Sequence, residues 1–267
     1  MNPLPVHPEM SFSSYIHRRE MEIHAQQLEL AAVRAATAEL TAAYAAHQGS
    51  RGSAGLERLN GVHEVRARLT ELSRRATEEL LAFMPGGALS QDALDASRPL
   101  DERSLESGVR LKTVFLDSVV NDRATTEYAR WLSTLGGEVR TLPVLPLRML
   151  VADRTTAVLP IDPEDSRQGA VIVHATGVVA ALLALFDMAW ERAVPLDGSR
   201  APHADAPSRQ ELTLLNLLAQ GHTDEVAARK LGLSLRTVRR MMASVSGKLG
   251  ARSRFEAGVL ASRSGWL

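Results

Sequence analysis

Cysteine is missing from this chain of 267 residues, and its absence excludes several kinds of chemistry. Without thiols the chain cannot form a disulfide bond, a zinc–thiolate centre or a cysteine nucleophile. The eight histidines are scattered, and none pairs with another at the one-turn spacing typical of helical metal sites. No glycine-rich loop of the phosphate-binding type is present either. The sequence therefore predicts no metal site and no cofactor.

Long apolar runs are also missing. Val178–Leu185 is nearly continuous, but it is far shorter than a membrane-spanning helix and is followed closely by Asp187 and Glu191. The N-terminus lacks the pattern of a secretory signal peptide. We therefore expect a cytoplasmic protein that does not engage a membrane.

A net charge of zero conceals an uneven distribution along the chain. Residues 208–267 carry ten Lys and Arg against four Asp and Glu, which is a balance of +6, and residues 1–207 carry the compensating −6. A basic C-terminal segment on an acidic body indicates that only this segment contacts nucleic acid.

The N-terminal segment, residues 1–55, is predicted to contain one long helix over residues 10–47. A seven-residue repeat holds Ile16, Ile23, Leu30 and Tyr44, with Thr37 completing it, and a second position of the repeat holds Val33 and Leu40. This repeat favours a coiled coil between two chains, and hence a homodimer. A helix packed against its own body is the alternative.

Residues 56–194 are predicted to form one α/β domain. Helical patterns cover about 61–77, 123–135 and 177–192, and strand patterns cover 80–84, 109–116, 138–142, 148–152, 156–161 and 170–174. Strands that alternate with helices and then form a hairpin imply a mixed sheet flanked by helices. Residues 88–107 give a mixed pattern, helical only near 101–107. Residues 195–207, with three prolines and a glycine, are predicted to be a linker that lets the last domain rotate.

The last segment, residues 208–267, has the pattern of a helix-turn-helix. A short helix, Asp224–Leu231, ends at Gly232, and Ser234 stands at the N-cap position of a longer helix over Leu235–Leu249. An apolar stripe runs along this longer helix, at Val238, Met241, Met242, Val245 and Leu249.

The opposite face of the longer helix carries three arginines and no acid. We place Arg239 and Arg240 at its centre and Arg236 nearer the N-terminus, because guanidinium groups reach guanine edges and phosphates in a major groove. A solvated arginine face on an ordinary helical bundle is the alternative. The complete set of predicted DNA contacts is Ser234, Arg236, Thr237, Arg239, Arg240, Ser244 and Lys248, with Ser234, Thr237 and Lys248 expected to hold phosphates.

These motifs resemble those of the C-terminal four-helix DNA-binding domain of LuxR-type transcription regulators. The matching residues are Glu211, Gly221, Leu231–Ser234, Thr237-Val238, Lys248–Gly250, Ala251–Arg254 and Glu256-Ala257. The resemblance implies an all-α domain that binds double-stranded DNA. RNA polymerase would be a further partner if the protein is an activator.

The body resembles half of the phospholipase D fold, as in the effector domain of TrmB-like regulators. Phospholipase D enzymes carry a His-x-Lys-x4-Asp signature, and here Pro146 and Arg148 stand in place of the His and Lys, before Asp153. Proline cannot act as a nucleophile or accept a proton. The resemblance therefore implies a degenerate domain with no catalytic residue, in which Arg148 and Asp153 either form an ion pair or hold an anionic ligand.

The sequence as a whole predicts a dimeric, sequence-specific DNA-binding transcription regulator with a non-catalytic effector or assembly domain, and no enzyme. A small-molecule effector is compatible with this prediction. Two alternatives stay open, namely a phosphodiesterase or nuclease with a DNA-targeting tail and a constitutive regulator whose body only forms the dimer.

Overall fold

The computed structural model describes residues 55–196 and 206–267. The predicted helix over residues 10–47, with its dimer seam, and most of the predicted linker over residues 195–207 lie outside the described residues.

The body is built on one mixed β-sheet, to which the described residues contribute eight strands. In chain order these are β1 Leu56–Asn60, β2 Glu79–Met84, β3 Arg110–Leu116, β4 Glu138–Leu142, β5 Met149–Ala152, β6 Thr156–Pro160, β7 Gly169–Val173 and β8 Val194–Pro195. Their order across the sheet is β1-β7-β6-β5-β2-β3-β4-β8. The pairs β2–β3 and β3–β4 are parallel and the other pairs are antiparallel. The predicted mixed sheet is confirmed.

Four helices accompany the sheet, namely α1 Gly61–Arg75, α2 Gln91–Glu106, α3 Arg123–Thr134 and α4 Thr176–Arg192. Side chains of β2 alternate between the two faces of the sheet, as a strand requires. Phe83 stacks on Phe186 of α4, with ring centroids 5.2 Å apart. Its neighbours Ala82 and Met84 face the opposite side, where α1 and α2 lie.

The central strands have nearly continuous apolar sequences because helices cover both faces of the sheet there. Leu81, Phe83, Val114, Phe115 and Leu116 are all almost completely buried. Burial on both faces is the rule for parallel strands, whose crossover connections place helices against the sheet. Here α2 and α3 are those crossovers.

The sequence prediction was wrong in two places in the body. Helix α2 begins at Gln91 rather than near residue 101, capped by Ser90, whose side chain accepts a hydrogen bond from the Ala93 N–H. Pro99 lies inside this helix and is tolerated because Leu94 anchors the preceding turn in the core. The short edge strands β1 and β8 were not predicted, because β1 is mostly exposed and carries no clear alternation.

The C-terminal domain consists of α5 Arg209–Ala219, α6 Asp224–Leu231, α7 Leu235–Leu249 and α8 Arg254–Arg263. Its core is formed by buried residues from all four helices, among them Leu214, Leu231, Val238, Val245 and Ala257. The predicted helix-turn-helix and the predicted all-α class are confirmed.

The C-terminal domain packs on the body, which differs from the free rotation expected of it. A Cβ built on Gly87 would lie 2.2 Å from the carbonyl oxygen of Gly232, so the two backbones touch. Arg209 donates to the carbonyl oxygens of Thr141 at 3.3 Å and Arg192 at 3.2 Å. These contacts involve backbone groups of the body and of the turn at Gly232, which the composition of a linker does not reveal.

Within the described ranges, no helix is long and apolar enough to cross a membrane. The same residues contain no group of three or more histidines or carboxylates placed to hold a metal ion.

Candidate nucleic-acid interface

The turn between α6 and α7 is fixed by local hydrogen bonds. Gly232 adopts a left-handed conformation with φ of 62°, and the next amide, that of Leu233, donates back to the Ala228 carbonyl at 2.9 Å. The Ser234 side chain then accepts from the Thr237 N–H at 3.1 Å and caps α7. The direction of α7 is therefore set by residues that the sequence singled out.

Helix α7 turns its apolar stripe inward and its arginines outward. Val238 and Val245 are completely buried, whereas Arg236 and Arg240 are exposed. Neither of these two arginines forms an ion pair or a hydrogen bond with another described residue. Their guanidinium groups are therefore available to an external anion.

Arg239 is exposed as well, but it lies at the edge of this face rather than at its centre. It is one residue, or about 100° around the helix, away from Arg240 and toward the start of α6. Asp224 there accepts from Arg254 at 2.8 Å, and this bond, with the charge of Arg239 as a smaller contribution, lowers the pKa of Asp224. The centre of the arginine face is thus formed by Arg236 and Arg240.

Ser234 and Thr237 lie together at the N-terminus of α7. Their hydroxyl oxygens are 2.8 Å apart, and Ser234 is exposed. A helix N-terminus carries unpaired amides and a partial positive charge, so hydroxyls placed there suit a phosphate.

Ser244 and Lys248 point to a different partner, the carboxylate of Glu211 on α5. Lys248 Nζ lies 2.7 Å and Ser244 Oγ lies 2.8 Å from the two carboxylate oxygens, and the Ser208 N–H donates at 2.7 Å. Burial alone would raise the pKa of Glu211, but these hydrogen bonds and the Lys248 charge hold it below its ordinary value. Lys248 therefore ties α7 to α5.

The sequence carried one signal for this role of Glu211. Ser208 and Glu211 form a capping box, in which each side chain accepts a hydrogen bond from the other residue's backbone N–H. A serine followed three residues later by glutamate indicates that arrangement, and it explains why an acid lies among the apolar residues of α5.

An apolar surface on α8 was missed in the sequence. Phe255 has 83% of its surface exposed, and Val259, one helical turn further on, is also exposed. Together with Leu215, Leu218 and Leu267 they line a surface groove of the domain. The signal was a phenylalanine outside the apolar pattern of the core.

In the body, Arg148 and Asp153 lie at opposite ends of β5 and do not pair with each other. Asp153 accepts hydrogen bonds from the backbone amides of Thr77, Glu78 and Glu79 at 2.9–3.0 Å, which hold its pKa below the ordinary value in spite of burial. Arg148 donates instead to the Pro85 carbonyl. The predicted ion pair is therefore wrong, because Asp153 fixes the start of β2.

Residues 207–261 match the family model described as "Bacterial regulatory proteins, luxR family". The C-terminal domain is thus a LuxR-type helix-turn-helix domain, as its motifs predicted. The chain is also 30% identical over 155 residues to the bialaphos biosynthetic pathway regulatory protein of Streptomyces hygroscopicus. That alignment covers 58% of this chain and about 60% of the length of the relative.

This chain is similar to solved structures of the two types named above for the body, a TrmB-like protein and a phospholipase D family member. TrmBL2, described as an archaeal chromatin protein with a novel mode of DNA binding, is 19% identical, with a TM-score of 0.42 over 72% of each chain. The phospholipase D family member Nuc from Salmonella typhimurium is 14% identical, with a TM-score of 0.43 over 55% of this chain and 98% of that one. Because one fold hosts many unrelated activities, the function of the body has to be argued from its own residues.

Proposed function

We propose that the protein is a sequence-specific transcription regulator that inserts α7 into the major groove of double-stranded DNA. The observation that carries this proposal is the outer face of α7, where Arg236 and Arg240 are exposed and have no partner among the described residues. Ala243 and Gly247 follow on the same face and are too small to hinder a close approach. Arginine forks on such a face can donate two hydrogen bonds to one guanine edge.

The remaining contacts divide by position around this face. Arg239, at the edge, is placed to reach a phosphate or a flanking base, and Ser234 and Thr237 are placed to receive a phosphate at the helix N-terminus. Lys248 and Ser244 support the interface from inside the domain, because both are bound to Glu211. A DNA-binding role of this kind places the protein in the cytoplasm.

The active form is proposed to be a homodimer. One helix-turn-helix reads too few base pairs to be specific in a genome, and two on a twofold axis would read half-sites about 10–10.5 base pairs apart. The exposed apolar surface of Phe255 and Val259 supports contact with a second copy. The helix over residues 10–47 is the second candidate seam, on its heptad pattern. RNA polymerase is a further partner if the protein activates transcription.

The body is proposed to bind or assemble rather than to catalyse. Pro146 supplies neither a nucleophile nor a base, and Asp153 is occupied by three backbone amides. The full chain should therefore not hydrolyse a generic phosphodiester such as bis(p-nitrophenyl) phosphate. Turnover that disappears in an Asp153→Asn variant would instead support the alternative of a phosphodiesterase with a DNA-targeting tail.

Selection of duplexes from a random pool by the full chain tests the proposal directly. We expect enrichment of a motif with twofold symmetry whose half-sites are about one helical turn apart. A double Arg236→Ala, Arg240→Ala variant should enrich no motif. An Arg74→Ala variant, which loses an exposed arginine of α1, should enrich the parent motif. A pool that stays random with the parent chain would contradict the proposal.

A further inference from the structure

The body contains a partly open cavity of about 310 Å³ between the sheet and helices α1 and α2. Apolar side chains provide most of its walls, among them Leu69, Leu80, Met84, Leu100 and Phe115. Its size is at the lower end of the range for small-molecule sites. Liquid water occupies about 30 Å³ per molecule, so the cavity corresponds to roughly ten water molecules and to a ligand of similar size.

Two arginines line this cavity, of which Arg66 is exposed on α1 and Arg148 is half-buried, and the contacts of Arg148 are all to uncharged groups. Nη2 donates to the Pro85 carbonyl oxygen at 3.1 Å, and Nη1 lies 3.7 Å from the sulfur of Met84. No carboxylate pairs with it among the described residues. Burial without a counter-ion lowers the pKa of the Arg148 guanidinium.

An acid, Asp101, lines the same cavity but is engaged elsewhere. It accepts a hydrogen bond from the hydroxyl group of Tyr128, and burial raises its pKa to about 6. An anion in the cavity would be repelled by Asp101 and attracted by Arg148. Its charged group would therefore lie at Arg148 and away from Asp101.

We propose that this cavity binds a small apolar carboxylate, whose head group pairs with the guanidinium of Arg148 in place of the Pro85 carbonyl. A carboxylate fits the two-pronged donor geometry of one arginine. A phosphate monoester fits less well, because Arg148 is the one half-buried cation of the lining and would face a doubly charged group with Asp101 in the same lining. The tail of the ligand lies along the apolar wall formed by the sheet and α2.

The arrangement also connects the cavity with the DNA-binding domain, and this step rests on the proposed function. Arg148 holds the carbonyl of Pro85, and Gly87, two residues later, touches the backbone of Gly232 in the turn before α7. A head group that takes Arg148 from Pro85 frees this loop. The body then loosens its contact beside Ser234, and α7 becomes more accessible to DNA.

Isothermal titration calorimetry of the full chain with octanoate tests the site, because octanoate has ten non-hydrogen atoms. We expect octanoate to bind about tenfold or more tightly than octan-1-ol at pH 7.5, since a charge-assisted pair is lost with the alcohol. An Arg148→Gln variant should lose this preference and still bind octan-1-ol, which shows that its cavity is intact. Equal affinities in the parent, or a preference that survives in the variant, would overturn the proposal.

Two further variants localise the binding. Ala82→Leu places a larger side chain on the floor of the cavity and should weaken both compounds about tenfold or more. Arg123→Gln, which removes an exposed arginine outside the cavity, should change neither affinity. Binding that is unaffected by Ala82→Leu would place octanoate elsewhere and would overturn the assignment.

The link to DNA is tested by fluorescence anisotropy with the selected duplex. Saturating octanoate should raise the DNA affinity of the parent about threefold or more and leave that of Arg148→Gln unchanged. If octanoate binds but the DNA affinity does not rise, the link is wrong and the site stands. If no duplex is selected at all, the proposed function fails, whereas calorimetry still decides on the site.

Discussion

Glu211 of the C-terminal domain and Asp101 of the body are both carboxylates shielded from water, and their pKa values are shifted in opposite directions. Glu211 in the C-terminal domain is paired with Lys248, and its pKa is lowered. Asp101 in the body has a neutral donor, Tyr128, and its pKa is raised to about 6. Glu211 is neutralised by a cation of its own domain, as Glu79 of the body is by Arg110 and Arg154. Asp101 and Arg148 differ from both, because neither has a counter-ion among the described residues.

This comparison separates charges that stabilise the fold from charges that are available to a ligand. A buried acid such as Glu211, which is bound by a lysine and two further donors, stabilises the fold. Its loss leaves the lysine charge partly buried without its partner. A cation with only neutral contacts, such as Arg148, has an unused capacity for a charged partner. Arg236 and Arg240 have the same capacity on the surface, where the partner is proposed to be DNA.

The largest expected effect comes from breaking the internal pair. Glu211→Ala should lower the local free energy of unfolding of α5 and α7 by about 3 kcal/mol, because it leaves Lys248 and Ser244 without their acceptor. Hydrogen exchange of the full chain would measure this loss in those helices. Glu225→Gln, an exposed acid of the same domain, should cost less than about 1 kcal/mol. Equal protection in Glu211→Ala and the parent would contradict the structural role of Glu211.

The surface arginines provide the next effect in size. Arg240→Ala should weaken binding to the selected duplex by about 1–3 kcal/mol and leave hydrogen exchange of α7 unchanged. Arg239→Ala should cost less, because Arg239 lies at the edge of the face beside Asp224. Anisotropy titrations of both variants would measure the order. If Arg239→Ala weakened DNA binding more than Arg240→Ala, Arg239 would belong at the centre of the arginine face, as the sequence predicted.

The turn and the cap of the helix-turn-helix could be predicted because their determinants are local. Gly232 and Ser234 lie within a few residues of the groups that they satisfy, so the spacing alone indicates the geometry. The pairs Glu211–Lys248 and Asp101–Tyr128 join residues 37 and 27 positions apart, and only the packed fold shows them. The cavity could not be predicted from the sequence either. Helix α2 forms one of its walls, and this helix contains Pro99 and was predicted only in part.

The buried acid of the body predicts a pH dependence of stability. The folded state keeps the Asp101 proton up to about pH 6, whereas an unfolded aspartate releases it near pH 4, so stability falls as the pH rises through this window. The loss should be about 2 kcal/mol between pH 4 and pH 7, and it should be absent in Asp101→Asn. Asp187→Asn, an exposed acid, should retain it.

Tryptophan fluorescence during urea denaturation reports the unfolding of the body alone in a Trp266→Phe background. Trp131 and Trp190 are then the remaining tryptophans of the chain. The parent and Asp101→Asn would be compared at pH 4 and pH 7. Equal pH dependence of the two chains would mean that the Asp101 carboxylate is well solvated in the cavity, and the contrast with Glu211 would no longer hold.

The smallest expected effect concerns the salt dependence of DNA binding. It decides whether Lys248 stabilises the fold or contacts a DNA phosphate. Each phosphate contact that a lysine or arginine makes contributes about one unit to the slope of the logarithm of affinity against the logarithm of salt concentration. The charge of Lys248 is already balanced by Glu211 at 2.7 Å. Lys248→Met should therefore keep the slope of the parent chain, although it destabilises the domain. A slope that falls by about one unit would instead assign Lys248 to the phosphate clamp that its sequence position suggested, and the domain would then use one cation for both purposes.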